Sequence, residues 1–222
     1  MIHQAPAASF RGLVRAAAAV LALTAVTGAF AQDMVEGRNY ARIKNPQPVE
    51  TGKNIEVIEF FSYGCPHCGE LEPNLQAWLK TKPADVQLRR IPVVFQPRWE
   101  SLARAYYTLE AMGEENKLSP EVFSSIHAKG IQLWNDKEFF DWAAGKGLDR
   151  KKVEELYGSF TVVGKVNRAK QQAQVYQIQS VPTIVVDGKF VTGSDRMPNG
   201  HAGVPGAIDA LVVKARAERP KS

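Results

Sequence analysis

The sequence predicts an α/β domain interrupted by an all-helical insertion. Three observations carry that class. A β-branched and aromatic strand runs through a short turn into a helix that opens with Cys65-Pro66-His67-Cys68. The stretch from about 98 to 177 then reads as helices only. The strand pattern returns at Pro182–Thr192 as a hairpin.

The elements follow in order. Asn54-Ile-Glu-Val-Ile-Glu-Phe-Phe61 is short, β-branched and aromatic, the pattern of a buried central strand. Ser62-Tyr63-Gly64 is a turn. From Cys65, apolar groups at 68, 71, 75, 78 and 79 predict a helix to about Lys80, kinked at Pro73. Val86–Phe95 reads as a second strand, bulged or peripheral because Pro92 cannot donate to a ladder.

In the helical stretch, Ser119-Pro120-Glu121 reads as an N-cap, a first-turn proline and an acid at the positive helix end. Asp136 and Asp149 read as two more N-caps, and Val162, Val163, Val166, Ala169, Ala173 and Tyr176 trace one face of a long helix. Asp187-Gly188 between two β-rich runs marks the hairpin turn. Apolar groups at 204, 208, 211, 212 and 215 predict a last amphipathic helix, from about Val204 to Ala217.

The chain opens with a basic segment holding Arg11 and Arg15, an apolar run from Ala16 and an Ala29-Phe30-Ala31 ending. This is the pattern of a secretory signal peptide over residues 1–31, cleaved after Ala31. The uncharged run is shorter than the ~20 residues of a spanning helix, which argues against a stable membrane anchor. Cleavage lowers the net charge from +5 to +3. The remaining Lys and Arg are dispersed, so nucleic acid is not an expected partner. Residues 32–222 then form one domain outside the cytoplasm, with a helical insertion at about 98–177.

Only two cysteines occur, Cys65 and Cys68. At a strand-to-helix junction, the unpaired N–H groups of the helix terminus favour a Cys65 thiolate. His67 can donate toward the same sulfur and adds positive charge when protonated. Cys68, one turn further in, is the more buried partner, so Cys65 exchanges with other chains and Cys68 resolves. Whatever stabilises the thiolate stabilises the dithiol, making the disulfide the stronger oxidant. Zinc ligation needs two further ligands, and His127 and His201 lack a ligand-like spacing. Haem attachment needs His after the second Cys, where Gly69 stands. Glu59 sits mid-strand, where an unpaired carboxylate is costly, and Arg90 in the next strand is its natural partner. Trp78, Trp99, Trp134 and Trp142 read as packing residues, and His127 and His201 as surface or capping residues.

Strand, Cys65-Pro66-His67-Cys68, a helix with Pro73, and Val181-Pro182-Thr183 before a hairpin resemble the thioredoxin superfamily. The Cys-Pro-His-Cys letters, the helical insertion and the export leader resemble its DsbA family of thiol:disulfide oxidoreductases. So do Phe60–Cys65 and the segment Val35–Tyr40. Pro73 is a feature of thioredoxin rather than of DsbA.

The resemblance implies an α/β, thioredoxin-like fold with an inserted all-helical subdomain, no cofactor and no metal. It implies disulfide donation to unfolded exported polypeptides with free thiols in the periplasm, and reoxidation by a membrane quinone-linked protein of the DsbB type. By position, Cys65 is the nucleophile, Cys68 the resolving cysteine, and Pro66 and His67 the intervening pair. Pro182 is the proline that is cis in the family, and Val181 offers its backbone to a bound peptide. Glu59 and Arg90 match a buried acid and base, the acid relaying protons to Cys68. A disulfide reductase or isomerase, a redox-inert binding or chaperone module on the same fold, and a metal chaperone using the cysteine pair are the alternatives.

Overall fold

Strand β2 (Ile55–Phe61) is the axis around which the rest is arranged. It pairs in parallel with β3 (Val86–Pro92) through the crossover helix α1 (Pro66–Leu79), and antiparallel with β4 (Thr183–Val186) on its other side. Strand β5 (Phe190–Thr192) is antiparallel to β4, and the two-residue β1 (Ala41–Arg42) adds to β5, giving the order β1-β5-β4-β2-β3. The computed structural model describes residues 34–220, together with Met1 and His3. The expected leader, residues 1–31, otherwise lies outside the described residues. Among the described residues, no helix is long and apolar enough to cross a membrane.

Alternation along β2 divides the core. Ile55 and Val57 pack with Leu71, Leu75 and Trp78 of α1 and with the C-terminal helix α7 (Val204–Glu218). Ile58 and Phe60 face the other way, into the helical insertion. Burial on both faces suits the β-branched and aromatic residues of β2 and also encloses two acids, Glu56 and Glu59, which meet Arg89 and Arg90 of β3. Strand β3 lies at the sheet edge, where the missing N–H of Pro92 faces away from β2 and removes no ladder bond. The strand ends at Pro92, short of the expected Phe95, with Val93 N–H still donating to the Phe61 carbonyl at 2.7 Å.

The insertion comprises α2 (Pro97–Ala111), α3 (Glu115–His127), α4 (Asp136–Gly145), α5 (Arg150–Tyr157) and α6 (Phe160–Val175). Its buried groups, among them Phe139, Trp142 and Val153, share one apolar cluster with Ile58 and Phe60. Trp78, Trp99 and Trp142 are buried, and Trp134 packs against the same cluster as Trp99 and Trp142.

Two helix starts differ from expectation. Ser119-Pro120 lies inside α3, which begins at Glu115. The carbonyl of Asn116, which Pro120 deprives of an intrahelical donor, accepts Gln76 Nε2 at 3.3 Å. Ser119, buried, spends its hydroxyl on Tyr63 instead of on a cap. The cap of α4 is Asn135, whose side chain accepts from the N–H groups of Lys137 and Glu138. Asp136 is its first helical residue and accepts the Tyr157 hydroxyl at 2.6 Å. Asp149 does cap α5, accepting from Lys152 N–H.

The hairpin turn has Asp187 and Gly188 at φ 54° and 64°, closed by Lys189 N–H to the Val186 carbonyl. A Cβ on Gly188 would fall 2.0 Å from the Gln47 carbonyl oxygen, so glycine is needed there for approach as well as for φ.

Candidate active site

Strand β2 delivers the chain to the Ser62-Tyr63-Gly64 turn, and Cys65 caps α1 in an extended conformation with Pro66 as the first helical residue. No side chain caps this terminus, so its N–H groups are left for the Cys65 sulfur. The turn is tied to the insertion. Tyr63 Oη and Ser119 Oγ are 2.7 Å apart, and the Tyr63 carbonyl lies 2.8 Å from His127 Nε2. Its ring packs edge-on against Phe61, Tyr106 and Phe123. Gly64 leaves room for Trp99: a Cβ there would sit 2.4 Å from Trp99 Nε1.

Both cysteines are reduced thiols, and their environments differ. Cys65 retains 6% of its surface and Cys68 none, so only the first can be met by a partner sulfur. The Cys65 pKa is lowered to about 6. The largest cause is the hydrogen bond from the Cys68 thiol. Burial opposes it, while the backbone N–H groups of Cys68 and His67 and the charge of His67 add to it. Burial drives Cys68 the other way, well above an ordinary thiol, and the neighbouring Cys65 reinforces this.

The His67 side chain is exposed and bonds Glu70 Oε2 through Nδ1 at 2.9 Å rather than the sulfur. That hydrogen bond raises the His67 pKa, so the ring contributes to Cys65 as a nearby charge. Across the cleft, Cys65 Sγ lies 3.4 Å from the Val181 carbonyl, and the Val181–Pro182 peptide bond is cis. Val181 and Pro182 are both partly exposed.

Glu59 and Arg90 are register partners on β2 and β3, both buried, with Arg90 Nε 2.9 Å from Glu59 Oε2. The contact is off the N–H axis, and neither Glu59 oxygen receives a well-aligned hydrogen bond. The guanidinium fork is aimed elsewhere, at Glu72 of α1, with contacts of 2.7 and 3.3 Å. One arginine thus serves two buried carboxylates. Burial pushes the Glu59 pKa up to about 7, with Arg90 opposing and the charges of Glu72 and Cys65 adding. Glu59 in turn contributes to holding Cys68 protonated. The arrangement is a buried carboxyl able to exchange a proton near neutrality, electrostatically linked to both sulfurs.

Glu72 is not singled out by the sequence pattern, although a signal was available. It lies four residues after Cys68, on the helix face that Leu71 and Leu75 bury. A charged residue on an inward face calls for a buried partner. His127 and His201 also lie at the site rim. His127 stacks on Phe123, and His201 Nε2 reaches Glu70 Oε2 at 3.1 Å. Sequence spacing carries neither contact, since each depends on packing between distant elements.

Between α1 and α3, beside Pro66, an apolar groove of about 650 Å³ is lined by Pro66, Gly69, Pro73, Phe123 and His127 among others.

A family model described as a DSBA-like thioredoxin domain matches residues 56–202. A thiol:disulfide interchange protein DsbA of Bordetella parapertussis is 38% identical over 200 residues, covering 90% of this chain and 95% of the relative. The protein of the same name from Pseudomonas aeruginosa PAO1 is 38% identical over 209 residues, covering 91% and 97%. The crystal structure of Pseudomonas aeruginosa DsbA superposes with a TM-score of 0.79 at 37% identity, over 83% of this chain and 96% of that one. The oxidoreductase NmDsbA1 of Neisseria meningitidis gives 0.74 at 30% identity, over 83% and 95%.

Proposed function

Because the chain belongs to the DSBA-like thioredoxin domain family, we propose that it is a thiol:disulfide oxidoreductase whose Cys65–Cys68 pair donates disulfides to unfolded, exported polypeptides. The observation that carries the direction of transfer is the asymmetry of the two sulfurs. Cys65 is partly accessible and readily ionised, and Cys68 is enclosed and held protonated. Stabilising the thiolate stabilises the dithiol product of the reaction, so the disulfide is the high-energy form. DsbA is itself the known case of a strongly acidic cysteine paired with an oxidising disulfide, and the direction here follows the family.

The reaction runs in two exchanges. A substrate thiolate attacks Cys65 Sγ of the disulfide; the S–S bond breaks and Cys68 leaves as a thiolate. That anion is unstable in its buried position and takes a proton, for which Glu59 is the nearby buried acid. A second substrate thiolate then attacks the substrate sulfur of the mixed disulfide and expels Cys65 as its stabilised thiolate. The substrate has lost two electrons to the enzyme and gained a disulfide. Arg90, shared with Glu72, keeps Glu59 in place without fully fixing its charge.

Substrate contact is expected to be backbone and apolar, suited to many sequences. The Val181 backbone beside the cis Pro182 offers pairing next to Cys65, and the groove along Pro66 and Phe123 offers apolar surface. Residues 1–31 act as an export leader, the mature chain works in the periplasm, and a membrane quinone-linked reoxidase of the DsbB type restores the disulfide.

Equilibration with glutathione buffers, followed by oxidation of a reduced unfolded substrate, tests this reading. An oxidising equilibrium and stoichiometric transfer are expected, and a strongly reducing equilibrium would assign the protein to reductase chemistry instead. In Cys68→Ala, mixed disulfides should accumulate at Cys65.

A further inference from the structure

Glu70 stands between two imidazoles that come from different parts of the chain. His67 and Glu70 are three residues apart, on one face of α1 near its start. His201 lies on the 3-10 turn Gly200–Gly203, just before α7. His67 Nδ1 and His201 Nε2 lie 2.9 and 3.1 Å from the same oxygen, Glu70 Oε2, and all three ligand atoms fall within 4.8 Å of one another. The two rings are 6.1 Å apart at their centroids and tilted by only 32°.

We propose that His67, Glu70 and His201 form a surface site for a divalent transition-metal ion of the zinc type, at the rim of the redox centre and independent of the cysteines. The donor set is two imidazole nitrogens and one carboxylate oxygen, the combination found in open zinc sites whose fourth position is held by water. Zinc at ~2.0–2.1 Å from each atom holds tetrahedral ligand atoms about 3.3 Å apart. The observed nitrogen-to-oxygen separations need to open by only a few tenths of an ångström.

His201 is also braced from behind. Its Nδ1 lies 2.6 Å from Ser194 Oγ, on the 3-10 turn Ser194–Arg196. That hydroxyl can accept from Nδ1–H when Nε2 gives its lone pair to a metal, the outer-shell contact that orients a ligating histidine. His201 keeps only a quarter of its side-chain surface, whereas His67 and Glu70 are open to solvent. The site therefore has one fixed ligand and two that close onto the ion from the water side.

The site does not depend on the proposed disulfide donation, and oxidised protein separates the two. With Cys65 and Cys68 joined, neither sulfur is available as a thiolate ligand. Calorimetric titration of untagged, oxidised protein with zinc sulfate is expected to show one saturable site per chain. His201→Ala and Glu70→Gln should each weaken it by tenfold or more, and His127→Ala, outside the cluster, should leave it unchanged. Absence of saturable zinc binding in the oxidised wild-type protein overturns the proposal. So does equal affinity in His201→Ala, or binding that appears only after reduction, which would place the ion on the cysteines.

Discussion

Removing the Cys68 thiol should raise the Cys65 pKa from about 6 to about 7–8. The Cys68 S–H is the largest single cause of the depressed value, ahead of the helix-terminal N–H groups. A hydrogen bond to a charged acceptor contributes ~1.5–3 kcal/mol, and ~1.36 kcal/mol corresponds to one pH unit. In Cys68→Ala the thiolate fraction at pH 7 should fall from about 90% to between about 50% and 10%. The terminal N–H groups and His67 remain, which keeps the value below that of a free thiol. Ultraviolet thiolate absorbance followed across pH measures this directly, and the alkylation rate at pH 7 should drop in proportion. Cys68→Ser, which retains a hydroxyl donor, should fall between wild type and alanine. A Cys65 pKa still near 6 in Cys68→Ala would refute the argument, because the helix terminus alone would then hold the anion.

The same ionisation sets the pH dependence of the redox equilibrium. The Cys65 pKa is depressed in the folded dithiol, from 9.0 to about 6, so the reduced form gains stability as pH rises above 6 and loses that gain as pH falls through 6. At pH 7 the gain is about tenfold, or ~1.4 kcal/mol, equivalent to ~30 mV for a two-electron couple. The equilibrium constant for reduction by glutathione should therefore rise about fivefold between pH 6 and pH 7.

Three further substitutions probe the surroundings. Glu59→Gln should remove an inflection near pH 7 from the exchange-rate profile while leaving stability nearly unchanged; an intact inflection would exclude Glu59 as its source. Arg90→Ala leaves Glu59 and Glu72 buried without their shared cation and should cost about 3–5 kcal/mol in denaturant unfolding at pH 7. Part of that loss should return below pH 7, as Glu59 protonates. Gly64→Ala places a methyl 2.4 Å from Trp99 Nε1 and should cost about 1–3 kcal/mol in thermal or denaturant unfolding. An unchanged midpoint would mean that Trp99 yields freely.

Much of this protein is legible in its residues alone. The order of strands and helices follows from local patterning: β2 is a β-branched and aromatic stretch buried on both faces, α1 carries its apolar groups at 68, 71 and 75, and Asp187-Gly188 supplies the two left-handed residues of a hairpin turn. The redox pair is equally plain, because a helix terminus acts on the residue that caps it. Local chemistry misjudges Pro120, which lies inside α3, where Gln76 of another helix donates to the Asn116 carbonyl that the proline leaves without an intrahelical donor. It also favours Asp136 over Asn135, two adjacent side chains of similar capping strength, between which the Tyr157 hydroxyl discriminates.

The amino-acid sequence by itself determined the element order, the position of both sulfurs and the pairing of Glu59 with Arg90 across neighbouring strands. Tertiary structure decided that Glu72 draws the guanidinium fork away from Glu59, and that His201 comes to Glu70 across 131 residues of chain. The difference is one of range. Hydrogen-bond ladders and helix ends act over a few residues and leave a periodic trace, whereas a shared arginine or a bridging carboxylate depends on how whole elements pack.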